Sequence, residues 1–120
     1  MTRRVVVTGT GAVTPLGLNV KETWDACLNG RSGLGPITLF DTSNFMVKIA
    51  CEVKNFDPAQ FMDAKEARRR DRFEQFSSAS AKEAHGQSGL EVTEANAGKI
   101  GVVIGTGIGG LMTTQEQIET

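Results

Sequence analysis

Residues Gly105-Thr106-Gly107-Ile108-Gly109-Gly110 place three glycines at the spacing Gly-x-Gly-x-x-Gly. An apolar run, Ile100 to Ile104, precedes them and a helix-like stretch follows from Leu111. Glycines between a strand and a helix let the backbone approach a ligand closely, and this spacing is that of a dinucleotide-binding turn. Such turns are common, and the acidic ribose partner expected about 20 residues on would lie beyond Thr120. A second candidate, Gly9-Thr10-Gly11, lacks the third glycine, and neither turn carries the Gly-Lys-Ser/Thr of a phosphate loop.

A different chemistry is suggested between positions 65 and 72. Lys65, Arg68, Arg69 and Arg72 recur at i, i+3, i+4 and i+7, which places them on one helix face, and Arg70 adds to the patch. This stretch holds five basic and two acidic residues, a local charge of +3 in a chain whose net charge is -1. Single exposed ion pairs contribute only about 0.2–1 kcal/mol. Several cations on one face instead steer an acidic partner and raise its association rate. A solvated face is the ordinary alternative. Nucleic acid fits poorly, because no aromatic residue shares the face and the whole chain is not basic.

Other reactive side chains are few. Cys27 and Cys51 form no CxxC pair and are expected to be buried thiols packing as small apolar residues. His85 has no nearby Ser or Cys partner, so a surface or packing role is expected. No metal site and no cofactor are implied. The composition, 39% apolar and 22% charged, is that of an ordinary soluble domain. No stretch approaches the length of a membrane span, and the apolar run after Arg4 is too short for a signal peptide. The cytoplasm is the expected location.

The elements that must position these residues read as α/β. Arg4 to Val7 and Ile100 to Ile104 are expected to be strands buried on both faces of a largely parallel sheet. Asn19 N-caps a helix to Gly30, with Val20, Trp24, Cys27 and Leu28 as its apolar face. Residues 31 to 45 read as a loop, and Met46 to Val53 alternates like a half-buried antiparallel edge strand. Asp57-Pro58 opens a short turn, Asp63 caps the basic helix, and a helix from about Asp71 to Gln87 follows. Its buried stripe is Phe73, Phe76, Ser80 and Ala84, and its small residues allow a close neighbour. Gly86 and Gly89 end it, and Thr93 to Ala97 forms a short turn of helix. The last helix is expected to run to the chain end. Two strands with four helical pieces make a thin core.

Taken together, RRVVVTGTGAVTPLG, the Trp of the first helix, ITLFDTSNF, KIACEVKNFDP, KEARRRDRF and SGLEVTEANAGKIGVVIGTGIGG resemble the N-terminal segment of a β-ketoacyl-acyl-carrier-protein synthase. The type II elongating enzymes of bacterial fatty-acid synthesis are the most similar. The resemblance covers residues 1–120, in order and at the family's spacing. It implies a thiolase-like fold, a mixed sheet with helices on both faces, of which this chain would supply the beginning of the first half and no separate second domain.

The resemblance also implies a two-stage reaction. A cysteine accepts an acyl chain from acyl carrier protein, then two histidines assist decarboxylation of malonyl-carrier protein, and the carbanion attacks the thioester. By resemblance those catalytic residues lie beyond Thr120, so the 120 residues alone are expected to be inactive. Lys65, Arg68 and Arg69 occupy the positions that dock the acidic carrier protein, and Ile108 the position that borders the acyl pocket. The complete protein is expected to be a homodimer. A non-catalytic carrier-protein-binding module and, further off, a dinucleotide-binding oxidoreductase domain are the alternatives.

Overall fold

The computed structural model describes residues 2–119. Helix α1 spans Val20–Leu28, strand β1 Leu34–Pro36 and strand β2 Ile49–Cys51. A 3-10 turn at Pro58–Gln60 leads into α2, Ala64–Ala67, and α3, Arg72–Ser88. A second 3-10 turn at Ala97–Lys99 precedes α4, Leu111–Ile118. Thr120, where the last helix was expected to run, lies outside the described residues; Glu119 is the C-cap of α4.

The local signals in the sequence act where they stand. Asn19 Oδ1 accepts the Glu22 N–H at 2.8 Å, Asp57 Oδ1 the Ala59 N–H at 3.0 Å, and Asp63 Oδ1 the Lys65 N–H at 2.8 Å. Each satisfies a donor that the first turn of a helix leaves without a partner. Gly89 ends α3 in the left-handed conformation, φ 65°. Gly86, expected to end that helix, lies inside it. One interior glycine costs only about 1 kcal/mol, too little to stop a helix of this length.

Helix α3 is the backbone of the fold. The segment before α1 lies along it, and two glycines make the approach possible. A methyl group placed on Gly9 would fall 2.1 Å from the Ala84 carbonyl oxygen, and one on Gly11 would fall 1.9 Å from that of Ser80. The small residues of α3 therefore receive a close neighbour, as their sizes suggest. Polar bonds fix the crossing. The Gln87 side-chain oxygen accepts the Thr10 N–H at 2.6 Å. The Glu83 carboxylate takes the Ala12 N–H on one oxygen and the Val20 N–H on the other, both at 2.9 Å. One side chain thus fastens both the entering segment and the first residue of α1 to α3.

The two long apolar runs differ from expectation. Neither Arg4–Val7 nor Ile100–Ile104 joins a β-ladder; the sheet among the described residues is the antiparallel pair β1 and β2. Val5 is 93% exposed and Val103 97% exposed. A strand buried on both faces needs partners at its edges and layers above and below, and the described residues supply neither. The radius of gyration, 17.7 Å, exceeds the roughly 14 Å of a compact chain of this length. The thin core has only Ala26, Ala67 and Ala79 as buried apolar residues among those described.

The apolar face of α1 is likewise uncovered. Trp24 and Leu28 are exposed, and Ala26 and Thr23 face the body instead. Thr23 Oγ1 lies 3.0 Å from Thr14 Oγ1, in the tight turn Thr14–Gly17. Strand β1 arises within the expected loop 31–45, and β2 is shorter than the expected strand. Gly35 pairs with Ala50, and Ala50 rather than Ile49 or Cys51 faces inward. Glu52, just after β2, accepts the Thr38 hydroxyl at 2.7 Å and the Thr38 N–H at 2.8 Å. These bonds, with weaker help from Leu39 N–H and Lys54, hold its carboxyl below the ordinary value.

Candidate functional site

The basic stretch forms a short, braced turn. Helix α2 is a single turn, and its hydrogen bonding runs on through Arg68, Arg69 and Arg70 to the carbonyls of Ala64 and Glu66. Asp63 caps its front. Gln75, on the first turn of α3, donates its side-chain amide to Ala67 O at 2.8 Å and Arg70 O at 3.0 Å. Those are carbonyls that a helix end leaves open. Ala67 in the turn is buried, and the residues flanking the turn in sequence supply an aromatic cluster. Phe56 stacks on Phe61, centroids 5.4 Å apart, and meets Phe76 edge-on at 4.9 Å. Nothing in the spacing of Gln75 announces its bracing role, which depends on the angle between two helices.

Within this frame the five cations separate. Arg72 does not share the basic face. It opens α3, donates to Val53 O at 2.9 Å and lies 4.8 Å over the Phe76 ring. The face fails there because the helix breaks at Asp71, whose extended backbone resets the direction of the next helix. Arg70 is tied to Glu66 at 3.2 Å and to Ser78 at 3.2 Å. Lys65, Arg68 and Arg69 are exposed and have no ion pair among the described residues. All three lie within or just after the single turn of α2, which Asp63 and Gln75 brace.

The glycine turn lies against the same end of α3. Gly109 and Gly110 are both left-handed, φ 64° and 60°, where a side chain would be strained. A methyl group on Gly109 would sit 3.2 Å from the Phe73 ring. Thr113, on the first turn of α4, donates its hydroxyl to Asp71 Oδ2. Ile104 shares a shallow cavity of about 230 Å³ with Arg70, Phe73, Glu74, Ser77 and Ser78. Ile108 is 74% exposed. A larger open cavity, about 500 Å³, lies between α4 and Leu39-Phe40, with Leu111 and Met112 on its wall; Ile108 does not line it.

The remaining candidates are dispersed. Cys27 and Cys51, expected to be buried, are free thiols on the surface. They follow the uncovered face of α1 and the outward side of β2, so their exposure has the same cause as that of Trp24 and Ile49. Neither stands at a strand-to-helix turn. His85 is exposed in the last turn of α3. Among the described residues no three His, Cys, Asp or Glu side chains gather as a metal site, and no helix is long and apolar enough to cross a membrane.

The family model for the β-ketoacyl synthase N-terminal domain matches residues 2–120. A 3-oxoacyl-[acyl-carrier-protein] synthase 2 of Coxiella burnetii is 53% identical over 91% of this chain and 26% of its own length. Proteins of the same name from Synechocystis and Vibrio cholerae are 48% and 51% identical, over 96% and 98% of this chain and 28% of their own length in each case. A solved structure, the ishigamide ketosynthase/chain length factor, superposes with a TM-score of 0.68 at 38% identity, over 74% of this chain and 22% of that one. The chain spans about a quarter of the length of these relatives. It belongs to the β-ketoacyl synthase family, matching that family's N-terminal domain.

Proposed function

We propose that this chain is the carrier-protein-docking part of a 3-oxoacyl-acyl-carrier-protein synthase acting in fatty-acid elongation, in the cytoplasm and as a homodimer. The observation that carries the reading is the trio Lys65, Arg68 and Arg69. They are exposed and unpaired on a turn braced by Asp63 in front and Gln75 behind. A braced turn loses little conformational freedom when a partner lands on it, so more of the attraction between charges appears as affinity. An acidic acyl carrier protein is the matching partner. The relatives' names, which contain that carrier, support the choice.

In the complete reaction an acyl group passes from its carrier to a cysteine with release of the carrier thiol, malonyl-carrier protein loses carbon dioxide, and the resulting carbanion attacks the cysteine thioester carbonyl and expels the cysteine thiolate. The product is a 3-oxoacyl-carrier protein two carbons longer. The residues of this chain contribute recognition to that sequence. The basic turn holds the carrier, and the glycine turn with Ile108 borders the acyl chain. Neither Cys27 nor Cys51 serves as the nucleophile.

The test is charge reversal in the intact protein. Arg68→Glu raises the KM for malonyl-carrier protein by about five- to tenfold and leaves kcat little changed, because a surface charge acts on encounter and docking. The effect shrinks as salt is added. An unchanged KM at low salt refutes the docking assignment.

A further inference from the structure

Asp71 occupies a position shared by two surfaces. It directly follows Arg70, so its backbone ends the basic turn, and it is the N-cap of α3. The Glu74 carboxylate accepts its N–H at 3.0 Å, and its carbonyl accepts from Gln75. Gln75 in turn holds Ala67 O and Arg70 O. The backbone of Asp71 is therefore part of the brace that shapes the cationic trio. Its side chain takes part in the capping box with Glu74 and also reaches the glycine turn. Thr113 donates to Oδ2, and a methyl group on Gly110 would lie 3.6 Å from that same oxygen. Phe73, two residues on, packs against Gly109.

We propose that Asp71 is a positioning residue that couples occupancy of the basic turn to the conformation of the glycine turn through its bond to Thr113. The inference rests on the docking role proposed above for Lys65, Arg68 and Arg69. Two features make the link effective. Consecutive left-handed glycines are held in place by few local preferences, so the turn takes its shape from what touches it. Within the described residues the nearest side chains are Phe73 and Thr106 at Gly109 and the Asp71 carboxylate at Gly110, the last bonded to Thr113. A partner that fixes the basic turn thereby fixes Asp71, and a fixed Asp71 narrows the conformations open to Gly109 and Gly110. Such coupling is reciprocal, so a ligand that orders the glycine turn also favours carrier binding.

The experiment compares the intact protein with Thr113→Val and Thr113→Ser, using acyl carrier protein bearing no acyl chain. Thr113→Val keeps the side-chain shape and removes the hydroxyl; Thr113→Ser retains the hydroxyl. Amide hydrogen exchange is followed at residues 105–114, and carrier affinity is measured in parallel. Carrier binding slows exchange in this segment about fivefold in the parent and in Thr113→Ser, and has no such effect in Thr113→Val, which still binds. Binding without protection in the parent overturns the coupling while leaving the docking site intact. Equal protection in Thr113→Val also overturns it, as does loss of carrier binding in that variant, which makes the bond a structural support of the docking surface. If Arg68→Glu leaves carrier affinity unchanged, the docking site itself is wrong and the coupling falls with it.

Discussion

Glu83 provides the most direct test of how the chain holds together. Its two carboxylate oxygens serve different segments, Oε2 the Ala12 N–H and Oε1 the Val20 N–H, each at 2.9 Å. Hydrogen bonds to an ionised group contribute about 1.5–3 kcal/mol each. The site is half-buried, so water replaces part of the loss and the lower end applies. Val20 N–H also lies at the positive end of α1, where a carboxylate gains about 0.3–1 kcal/mol more. Glu83→Ala should therefore cost the intact protein about 3–4 kcal/mol in urea unfolding. Glu83→Gln is the sharper case. Its single oxygen can serve one N–H, and its amide nitrogen then faces the other as donor against donor. The near-isosteric variant should thus lose about 2 kcal/mol rather than behave as neutral. Amide exchange of Ala12 and Val20 should quicken in both variants. If both unfold within about 0.5 kcal/mol of the parent, the two N–H groups are already served by water and the fastening role assigned to Glu83 is wrong.

Two further outcomes concern the fold. Gly11→Ala drives a methyl group into the Ser80 carbonyl, whereas Gly86→Ala meets open space within α3. The first should lower the melting temperature sharply, by more than about 3 kcal/mol of stability, and the second should raise it by about 0.5–1 kcal/mol. Acidification should release the Thr38–Leu39 segment from Glu52. Because the folded carboxyl is held below its ordinary value of 4.5, its contribution is complete above that value and is lost as pH falls through the lowered one. The melting difference between the parent and Glu52→Gln should therefore be constant near neutral pH and vanish in acid; a difference independent of pH would contradict the bond.

What could be read from the sequence was what is settled within a few residues. Asn19, Asp57, Asp63 and Gly89 cap or end their helices as their types suggest, because a cap needs only its own first or last turn. Of the basic residues that spacing put on one face, Lys65, Arg68 and Arg69 remain on the α2 turn, while the docking role of these three was implied by the resemblance alone. Arg72 was misplaced because the pattern was carried across Asp71, where the chain changes direction. Apolar periodicity identified the face of α1 that carries Trp24, but not what lies against that face. The described neighbours lie on the side of Thr23 and Ala26. Val5–Val7 and Val102–Ile104 read as core strands because their composition suits burial, yet burial depends on partners that composition cannot supply. Glu83 and Gln75 gave no signal at all, since each acts across a crossing of segments distant in sequence.

The seating of the first segment on α3 also has a consequence for how the protein is made. Gly9 lies over Ala84 and Gly11 over Ser80, two residues of extended chain against four of helix, or about 6.8 Å against 6.0 Å. The two repeats match closely enough that the pair of glycines fixes one register; a slip by one residue would set Thr10 or Ala12 against a carbonyl. The groove that receives them is complete only once α3 has been synthesised. Thr10 must await Gln87, 77 residues later. At roughly 5–20 residues per second Thr10 is synthesised about 4–15 s before its partner on α3 exists. The segment before α1 is thus anchored only after α3 has been made. A pause in translation upstream of α3 would lengthen the interval in which the segment around Gly9 and Gly11 is without its seat.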